Sequence, residues 1–555
     1  MNIMPRLHSA AELEELRAGI LSGRDPEKPC IAVCAGAACH GLDSARIARA
    51  FEEEVTKLGV GAKVDVRATG CHGFCEKGPN VVIGPGEICY FEVKPEDVSD
   101  IVAHTLKGEV LERLVYTHPE TGEKAVHLTE VPFYKYQTRL LIGDNIRIDP
   151  MRIEDYLALG GYAALSKALF EMSSDQVLDE VKKANLRGRG GGGFPAGLKW
   201  ETTKNAPAED KYVIVNGHEG EPGAFMDRAL FTGNPHKVLE GLIIGAYAIG
   251  AHRGFIYTRH DSPQLIEHIE RALAQAEEYG LLGENILGSG FNFRVELHFD
   301  VGIFVSGESS ALMRSIEGNP PEPRPKYIRT SVSGIWDKPS NLNNVETWAN
   351  VPQIISRGAE WYTSIGTERS KGTKLISLSG NVVNSGVVEV PMGTPLRTIV
   401  YDIGGGVPGG EAPKAIHFGG PMGGSIPERL IDTPLDFDEL SKLGAPIGAG
   451  GLLVMDEKTD MVEVARYLLE FLTNESCGKC VPCREGMRQM LKILTNITKG
   501  KGKSGDIGQL EDLSDVTGVA CLCALGKTAP DPIRSMLRYF RDEYEAQIAG
   551  GSAAR

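Results

Sequence analysis

The sequence predicts a multidomain α/β chain closed by a helical bundle. Three observations predict it. Its 555 residues exceed what one ordinary core accommodates. Strand-like and helical patterns alternate through the first 110 residues or so, and helical periodicity returns from Asp456 onward. In order, residues 1–29 hold a short helix, with Ser9 as its cap and apolar residues at helical spacing to about Leu21. Residues 30–111 carry β-like runs at 31–33, 63–67, 80–83 and 88–93 with a helix over 43–58, a small α/β domain. Residues 112–149 read as an extended linker that rejoins a globular body at Pro132, and 150–371 combine long helical patterns with glycine-rich loops. Short strands and turns (TKLISLSGNVVNSGVVEV, GGGVPGG, KAIHFGGPMGG) make 372–455 a compact β-rich module. The final unit, 456–555, is a helical bundle built from MVEVARYLLEFL, REGMRQMLKIL and PIRSMLRYFRDEYEAQI.

Composition narrows the function. With 42% apolar and 24% charged residues the chain is an ordinary folded protein rather than a disordered one. A net charge of −15 without any basic stripe argues against nucleic acid and anionic membrane surfaces as partners. The longest smooth apolar stretch, 241–251, falls far short of the roughly 20 residues of a bilayer span. The opening MNIMPRLHSAAELEEL is acidic and lacks an apolar signal core, so a cytoplasmic chain is expected. Eleven cysteines, an odd number, then point to metal or redox chemistry rather than a disulfide framework.

Nine of those cysteines form two groups. Cys34 and Cys39 are followed, after 31 residues, by Cys71 and Cys75. Two close thiolate pairs on one small domain can wrap a [2Fe–2S] rhomb, one pair per iron. Zinc or buried free thiols are the alternatives, but zinc favours C-x2-C knuckles and these spacings are wider. The second group is Cys477, Cys480 and Cys483, which present thiolates to three corners of a [4Fe–4S] cubane. The fourth ligand must come from elsewhere, and Cys521 and Cys523 are the downstream candidates. Cys30 and Cys89 adjoin apolar strand residues and read as core packing.

The glycine loops carry the remaining signal. LRGRGGGGFPAGLKW satisfies G-x-G-x-x-G at Gly188, Gly190 and Gly193, yet an amphipathic helix precedes it where a dinucleotide fingerprint requires a strand. An ordinary Rossmann site is therefore not predicted. The glycines still let the backbone approach an anion or flat ring, and Arg189 and Lys199 supply positive charge. A strand over 212–216 runs into the acidic turn GHEGEPG, where a solvated turn is the simpler reading taken alone. SGESSALMRSIEG reads as a helix opening at Ser306 with its N-terminus free for an anion, and Asn343, Asn344 and Thr347 offer amides and a hydroxyl together.

These segments, in this order, resemble the NADH-oxidising flavoprotein subunit of respiratory complex I and the diaphorase subunits of multimeric hydrogenases and formate dehydrogenases. The strings RGRGGGGFPAGLKW, NGHEGEPGAFMDR, IEGNPPEPRPK, KPSNLNNVETWANVP, ESCGKCVPCREG and CALGKTAPDPIRSMLRYFRDEYEA carry the resemblance across 130–545. CHGFCEKGP resembles the thioredoxin-like [2Fe–2S] ferredoxin domain, and 372–455 resembles the soluble-ligand-binding β-grasp domain. The resemblance implies FMN on Gly188, Gly190, Lys199, Asn216, Glu219, Gly307, Glu308, Asn343, Asn344 and Thr347. It places Glu221 and Phe194 at the nicotinamide, Glu221 as the catalytic group, with Lys326 near the nucleotide. It completes the cubane with Cys523, Cys521 falling where relatives often have serine. The implied function is electron transfer in a soluble complex with other iron–sulfur subunits: nicotinamide delivers a hydride, clusters accept one electron at a time, and flavin converts between them.

Several positions depart from the family's pattern: His218 where Asp is common, Phe304 and Ser306 for Tyr and Cys, and Ser309 for a carboxylate that binds the adenosine ribose. Losing that carboxylate leaves three donors compatible with the sequence: NADH, NADPH, or another carrier, as in an internal or bifurcating relay of a benzoyl-CoA reductase-type complex. Arg314, about 140° around the helix from Ser309, is poorly placed for a 2′-phosphate. A non-catalytic, ligand-sensing scaffold is the other class, though it has no need of two cluster-ligand sets.

Overall fold

The computed structural model describes residues 6–119 and 121–553; the first five residues, part of the stretch read for a signal core, lie outside it. The N-terminal helix Ala10–Ser22 is capped by Ser9, whose hydroxyl accepts from the Glu12 amide at 3.1 Å. Strands β1 (Cys30–Cys34), β2 (Asp65–Thr69), β3 (Val81–Gly84) and β4 (Ile88–Tyr90) form a sheet in the order β2-β1-β3-β4. β1 and β2 are parallel and the other pairs antiparallel. Phe51 of the helix Ser44–Leu58 and Ile101 of Val98–Lys107 close its core over Ile31 and Val33. A five-residue helix, Ala37–Gly41, is too short to leave a periodic signal and was not expected.

The expected linker is not a free tether. Its hairpin β5 (Tyr116–Thr117) and β6 (Lys124–Ala125) leads into the helix Pro132–Lys135, and Tyr116, Phe133 and Tyr134 are buried. Phe133 stacks on Phe74 with centroids 4.2 Å apart. The Leu141 and Ile142 amides donate to the Glu389 carboxylate at 2.9 and 3.2 Å. These apolar residues have no regular spacing, so periodicity could not reveal that they fill a joint.

The largest body is a wholly parallel sheet of β7 (Tyr212–Gly217), β8 (Arg253–Thr258), β9 (Arg294–Phe299) and β10 (Ser340–Asn344), ordered β10-β7-β8-β9. The helices Pro235–Ile249 and Val345–Arg357 pack together against it. Their close approach needs Gly245, where a Cβ would strike the Trp348 ring. The apolar stretch noted in the sequence is thus core, and among the described residues no helix is long and apolar enough to cross a membrane.

The β-rich module is a five-stranded sheet of β11 (Thr373–Gly380), β12 (Gly386–Pro391), β13 (Ala415–Phe418), β14 (Gly424–Pro427) and β15 (Gly451–Met455), ordered β12-β11-β15-β13-β14. The C-terminal bundle contains Met461–Asn474, Val481–Thr498, Asp506–Ala520, Asp531–Tyr539 and Arg541–Ala553. The one helix expected over 532–548 breaks at Phe540, and Asp506–Ala520, lacking a clear apolar stripe, escaped the sequence reading.

Candidate functional site

A parallel sheet gathers its loops at the carboxyl ends of its strands, and ligands favour the point where strand order reverses. Here the reversal lies between β7 and β10, whose final residues Asn216 and Asn344 are register partners. A cavity of about 520 Å³ opens at that point, within the range typical of ligand sites. Its wall includes every residue expected to bind the flavin or nucleotide except one: Gly188, Gly190, Phe194, Lys199, Asn216, Glu219, Glu221, Gly307, Glu308, Lys326, Asn343, Asn344 and Thr347.

The exception is Arg189. Its side chain is fully buried on the far side of the loop, donating to the Lys371 carbonyl at 2.5 Å and the Tyr362 hydroxyl at 3.2 Å, 3.7 Å from Glu346. Only its backbone serves the loop, the amide donating to Thr347 Oγ1 at 2.9 Å. A guanidinium in a core must find acceptors, and here the acceptors lie away from the cavity.

Lys199 reaches from the helix Ala196–Asn205 to the Leu342 carbonyl at 2.7 Å. Burial, with repulsion from Lys326, pushes its ammonium down to about 8. An anion placed there would remove that penalty. Glu219 stands at φ +32°, a strained position for a residue with a side chain. It accepts from the Asp227 amide at 2.7 Å and from Arg228 Nε at 2.9 Å. Burial, reinforced by the Glu219 charge, raises the Glu221 carboxyl to about 7. Asn344 caps the helix Val345–Arg357 through the Glu346 amide at 2.9 Å and donates to Asp227 at 2.6 Å.

The helix start differs from expectation. The segment begins as a 3₁₀ turn, Phe304–Gly307, and the helix Ser309–Ile316 is capped by Glu308, not by Ser306. The Glu308 carboxylate takes the amides of Ser310 and Ala311 at 2.9 and 3.1 Å. That N-terminus is therefore already satisfied and is not free for an anion. Arg314 pairs with Glu317 at 3.1 Å, away from Ser309.

Two atoms on the cavity wall, Asn343 Oδ1 and Glu221 Oε1, are buried without a hydrogen-bond partner. Such atoms are costly unless a ligand completes them, and with the Lys199 cation they fit a ring bearing amide-like edges and a phosphate. The sequence did not anticipate the opposite wall. Gly419, Pro446, Gly448 and Ala449 come from the β-rich module, Gly448 bridging to Gly191, and Ala524, Leu525 and Thr528 come from the bundle. The GGPMGG turn was the available signal for Gly419; nothing in the sequence marked the others.

The cysteines converge at two places. Parallel pairing of Cys34 with Thr69 brings the loop after β1, with Cys39, beside the loop after β2, with Cys71 and Cys75. The thiols touch in series, Cys39 to Cys34 to Cys71 to Cys75. Gly36 leaves room for this: a Cβ there would lie 2.7 Å from that of Cys71. In the bundle, Cys477, Cys480, Cys483 and Cys523 line one small cavity. The Cys521 sulfur lies within 4.8 Å of those of Cys480 and Cys483, a fifth thiol at the site. Val305 and Leu525 line both this cavity and the larger one, so a single side-chain wall separates them.

Three family models match in this order: the thioredoxin-like [2Fe-2S] ferredoxin over 21–106, the Nuo51 FMN-binding domain over 181–353, and the NADH-ubiquinone oxidoreductase-F iron-sulfur binding region over 463–547. NADP-reducing hydrogenase subunit HndC of Solidesulfovibrio fructosivorans is 48% identical over 75% of this chain and 84% of its own length. An NADH-quinone oxidoreductase subunit of Rhizobium meliloti (strain 1021) is 44% identical over 71% of this chain and 94% of its own. The chain belongs to this family of NADH-quinone oxidoreductase and hydrogenase flavoprotein subunits. A solved NAD+-reducing [NiFe]-hydrogenase in the H2-reduced state superposes on 97% of this family member and 90% of its own chain, with TM-score 0.66 and 25% identity. As a member of the family the chain carries FMN-binding, [4Fe–4S] and thioredoxin-like [2Fe–2S] regions, and the donor sets described above suit all three groups.

Proposed function

We propose that this chain is the NAD(P)H-oxidising electron-transfer subunit of a multi-subunit redox complex, its working units being 30–111, 150–371, 372–455 and 456–555. The observation that carries this reading is the shared wall of Val305 and Leu525 between the ligand cavity and the cysteine cavity. FMN bound there would supply the coupling between two-electron hydride transfer and single-electron transfer. The chain's residues bind and orient. Lys199 would hold a phosphate-sized anion, Asn216, Asn343 and Asn344 line the same cavity, and Glu219 keeps the acidic turn closed through Arg228. Phe194, 54% exposed at the edge of the cavity, offers a stacking face to a second ring, with Glu221 as the carboxyl beside it. Cys477, Cys480, Cys483 and Cys523 would hold the cubane; Cys34, Cys39, Cys71 and Cys75 would hold the [2Fe–2S] cluster.

Relatives named for NADH and for NADP support a nicotinamide donor without choosing between the two. Ser309 on the cavity wall removes a carboxylate that would disfavour a 2′-phosphate. Anaerobically purified protein is expected to contain FMN and about six irons per chain. Stopped-flow bleaching of the flavin by NADH or NADPH identifies the donor. Flavin-free, zinc-loaded protein would overturn the reading, and no bleaching by either nucleotide would make the chain an internal relay.

A further inference from the structure

A histidine on the cavity wall is held by an acid–base unit that the reading above does not use. His218 follows β7, its side chain only 4% exposed and its ring stacked on Tyr257 with centroids 6.3 Å apart. Its Nε2 lies 3.1 Å from Asp300 Oδ2 and 3.0 Å from Ser306 Oγ. The single hydroxyl hydrogen of Ser306 goes to the Ile303 carbonyl at 2.5 Å, so toward His218 this hydroxyl can only accept. Burial opposes ionisation of Asp300, but the neighbouring His218 and the hydrogen bonds from His260 outweigh it and hold the carboxyl well below the usual range. An ionised carboxylate is also acceptor-only. Ser306 Oγ thus requires the ring hydrogen on Nε2; Asp300 Oδ2, 3.1 Å from the same nitrogen, sits beside it as a charge without taking a hydrogen bond, and a neutral imidazole then carries a lone pair on Nδ1.

Nδ1 packs closely against two glycines that share the cavity wall with His218. A Cβ on Gly307 would lie 2.7 Å from Nδ1 and one on Gly220 2.9 Å from it, and His218, Gly220 and Gly307 all line the cavity. Asp300 is fixed in turn by His260, whose amide donates to Oδ1 at 3.1 Å and whose Nδ1 lies 2.6 Å from the same oxygen. The other charged groups around the unit are already committed. Glu219 is paired with Arg228 and Arg259 with Asp261, while the Tyr257 hydroxyl meets Ser315 at 3.0 Å.

We propose that His218, oriented by Asp300 and His260, is the group that takes up at Nδ1 the proton left in the cavity when a hydride's two electrons leave singly. The inference rests on the hydride-to-one-electron reading above. A hydride is one proton and two electrons; the electrons pass to the iron–sulfur clusters, and the proton needs a base. Gaining it makes the imidazole a cation, with Nε2 still 3.1 Å from the Asp300 carboxylate. The Nδ1 proton then leaves to water in the cavity, and the reverse reaction draws it back from the same atom. Asp300 and His260 are positioning residues, because they act through the ring rather than on the ligand.

The test uses the purified FMN- and cluster-loaded protein with His218→Gln and Asp300→Asn. Flavin content is measured first. Reoxidation of the reduced flavin by the clusters is then followed from about pH 5.5 to 9 in H2O and D2O, the range over which imidazoles exchange protons. His218→Gln is expected to keep FMN, slow the reoxidation roughly tenfold or more, and flatten its pH and isotope dependence. Asp300→Asn is expected to keep the pH dependence but shift its midpoint to lower pH, because the imidazolium loses its neighbouring anion. ¹⁵N spectra of the apoprotein should show His218 protonated on Nε2. An FMN-replete His218→Gln protein with the wild-type profile, or an Nδ1-protonated His218, overturns the proposal. If His218→Gln fails to fold, an unshifted midpoint in Asp300→Asn overturns it. Wild-type protein without FMN overturns the underlying functional reading instead.

Discussion

Glu221 Oε1, in the turn after β7, lies against Gly451 of the β-rich module, where a Cβ would stand only 2.6 Å away. The module therefore closes over a carboxyl that belongs to another sheet, and this enclosure raises the carboxyl to about 7. A carboxyl raised above its unfolded value of 4.5 penalises the native state above the folded value, and the penalty fades as pH falls toward the unfolded one. Glu221→Gln is expected to stabilise the apoprotein at pH 8, on the order of 2 kcal/mol, and to have little effect near pH 5. Thermal unfolding at the two pH values checks it. Equal shifts at both would mean that packing, not titration, governs the site.

Lys199 yields a prediction of opposite sign. Its ammonium is pushed down to about 8 by burial and by Lys326, so the empty cavity holds a charged lysine below that pH and a neutral one above. An anionic phosphate needs the charged form. FMN affinity is thus expected to fall as pH rises through 8, with a proton taken up on binding in the upper range. Calorimetry in buffers of different ionisation enthalpy reads that uptake directly. Lys199→Met should abolish the uptake and weaken binding by roughly tenfold or more.

How much of this was legible depends on what each residue's role requires. Strand and cysteine positions follow from local pattern: β1, β7 and the C-x2-C-x2-C run were visible because periodicity and spacing are properties of short segments. Arg189 was misjudged because composition gives a charge but not its direction; the acceptors at Lys371 and Tyr362 are far along the chain. The helix start was placed at Ser306 rather than at its true cap, Glu308, because serine and a carboxylate two residues apart offer the same capping chemistry to a sequence. The walls from Gly448 and Leu525 were out of reach, since apolar and glycine residues that meet only through tertiary packing leave no spacing rule.

The two downstream cysteines make separable predictions. Cys523 lines the cavity with Cys477, Cys480 and Cys483, whereas Cys521 packs behind Cys480 and Cys483, and Gly526 leaves it room. Cys523→Ser is expected to lose or convert the [4Fe–4S] signal in Mössbauer and low-temperature EPR spectra, with about one iron or more missing per chain. Cys521→Ser is expected to keep the full complement. The reverse pattern would assign Cys521 as the fourth ligand.

The docking of the N-terminal domain rests on a few contacts that can be cut singly. Phe133 lies nearly parallel to Phe74, 5° between planes, with Phe91 edge-on and Tyr116 tilted around Phe74. Beside this cluster the Gly73 carbonyl accepts from the Val387 amide at 2.8 Å, and Asn145 Nδ2 donates to the Cys71 carbonyl at 3.1 Å. The cysteine loop is therefore held by both the 112–149 segment and the β-rich module. Truncating a fully buried aromatic costs about 3–5 kcal/mol, much of it from the cavity left behind. Here that cost falls on a joint rather than on a domain's own core. Phe133→Ala is expected to leave the individual domains folded but to loosen residues 70–76. Hydrogen exchange at those amides should rise, and electron transfer to the [2Fe–2S] cluster should slow relative to the cubane. Unchanged exchange would show that the polar contacts at Val387 and Asn145 hold the loop without the aromatic stack.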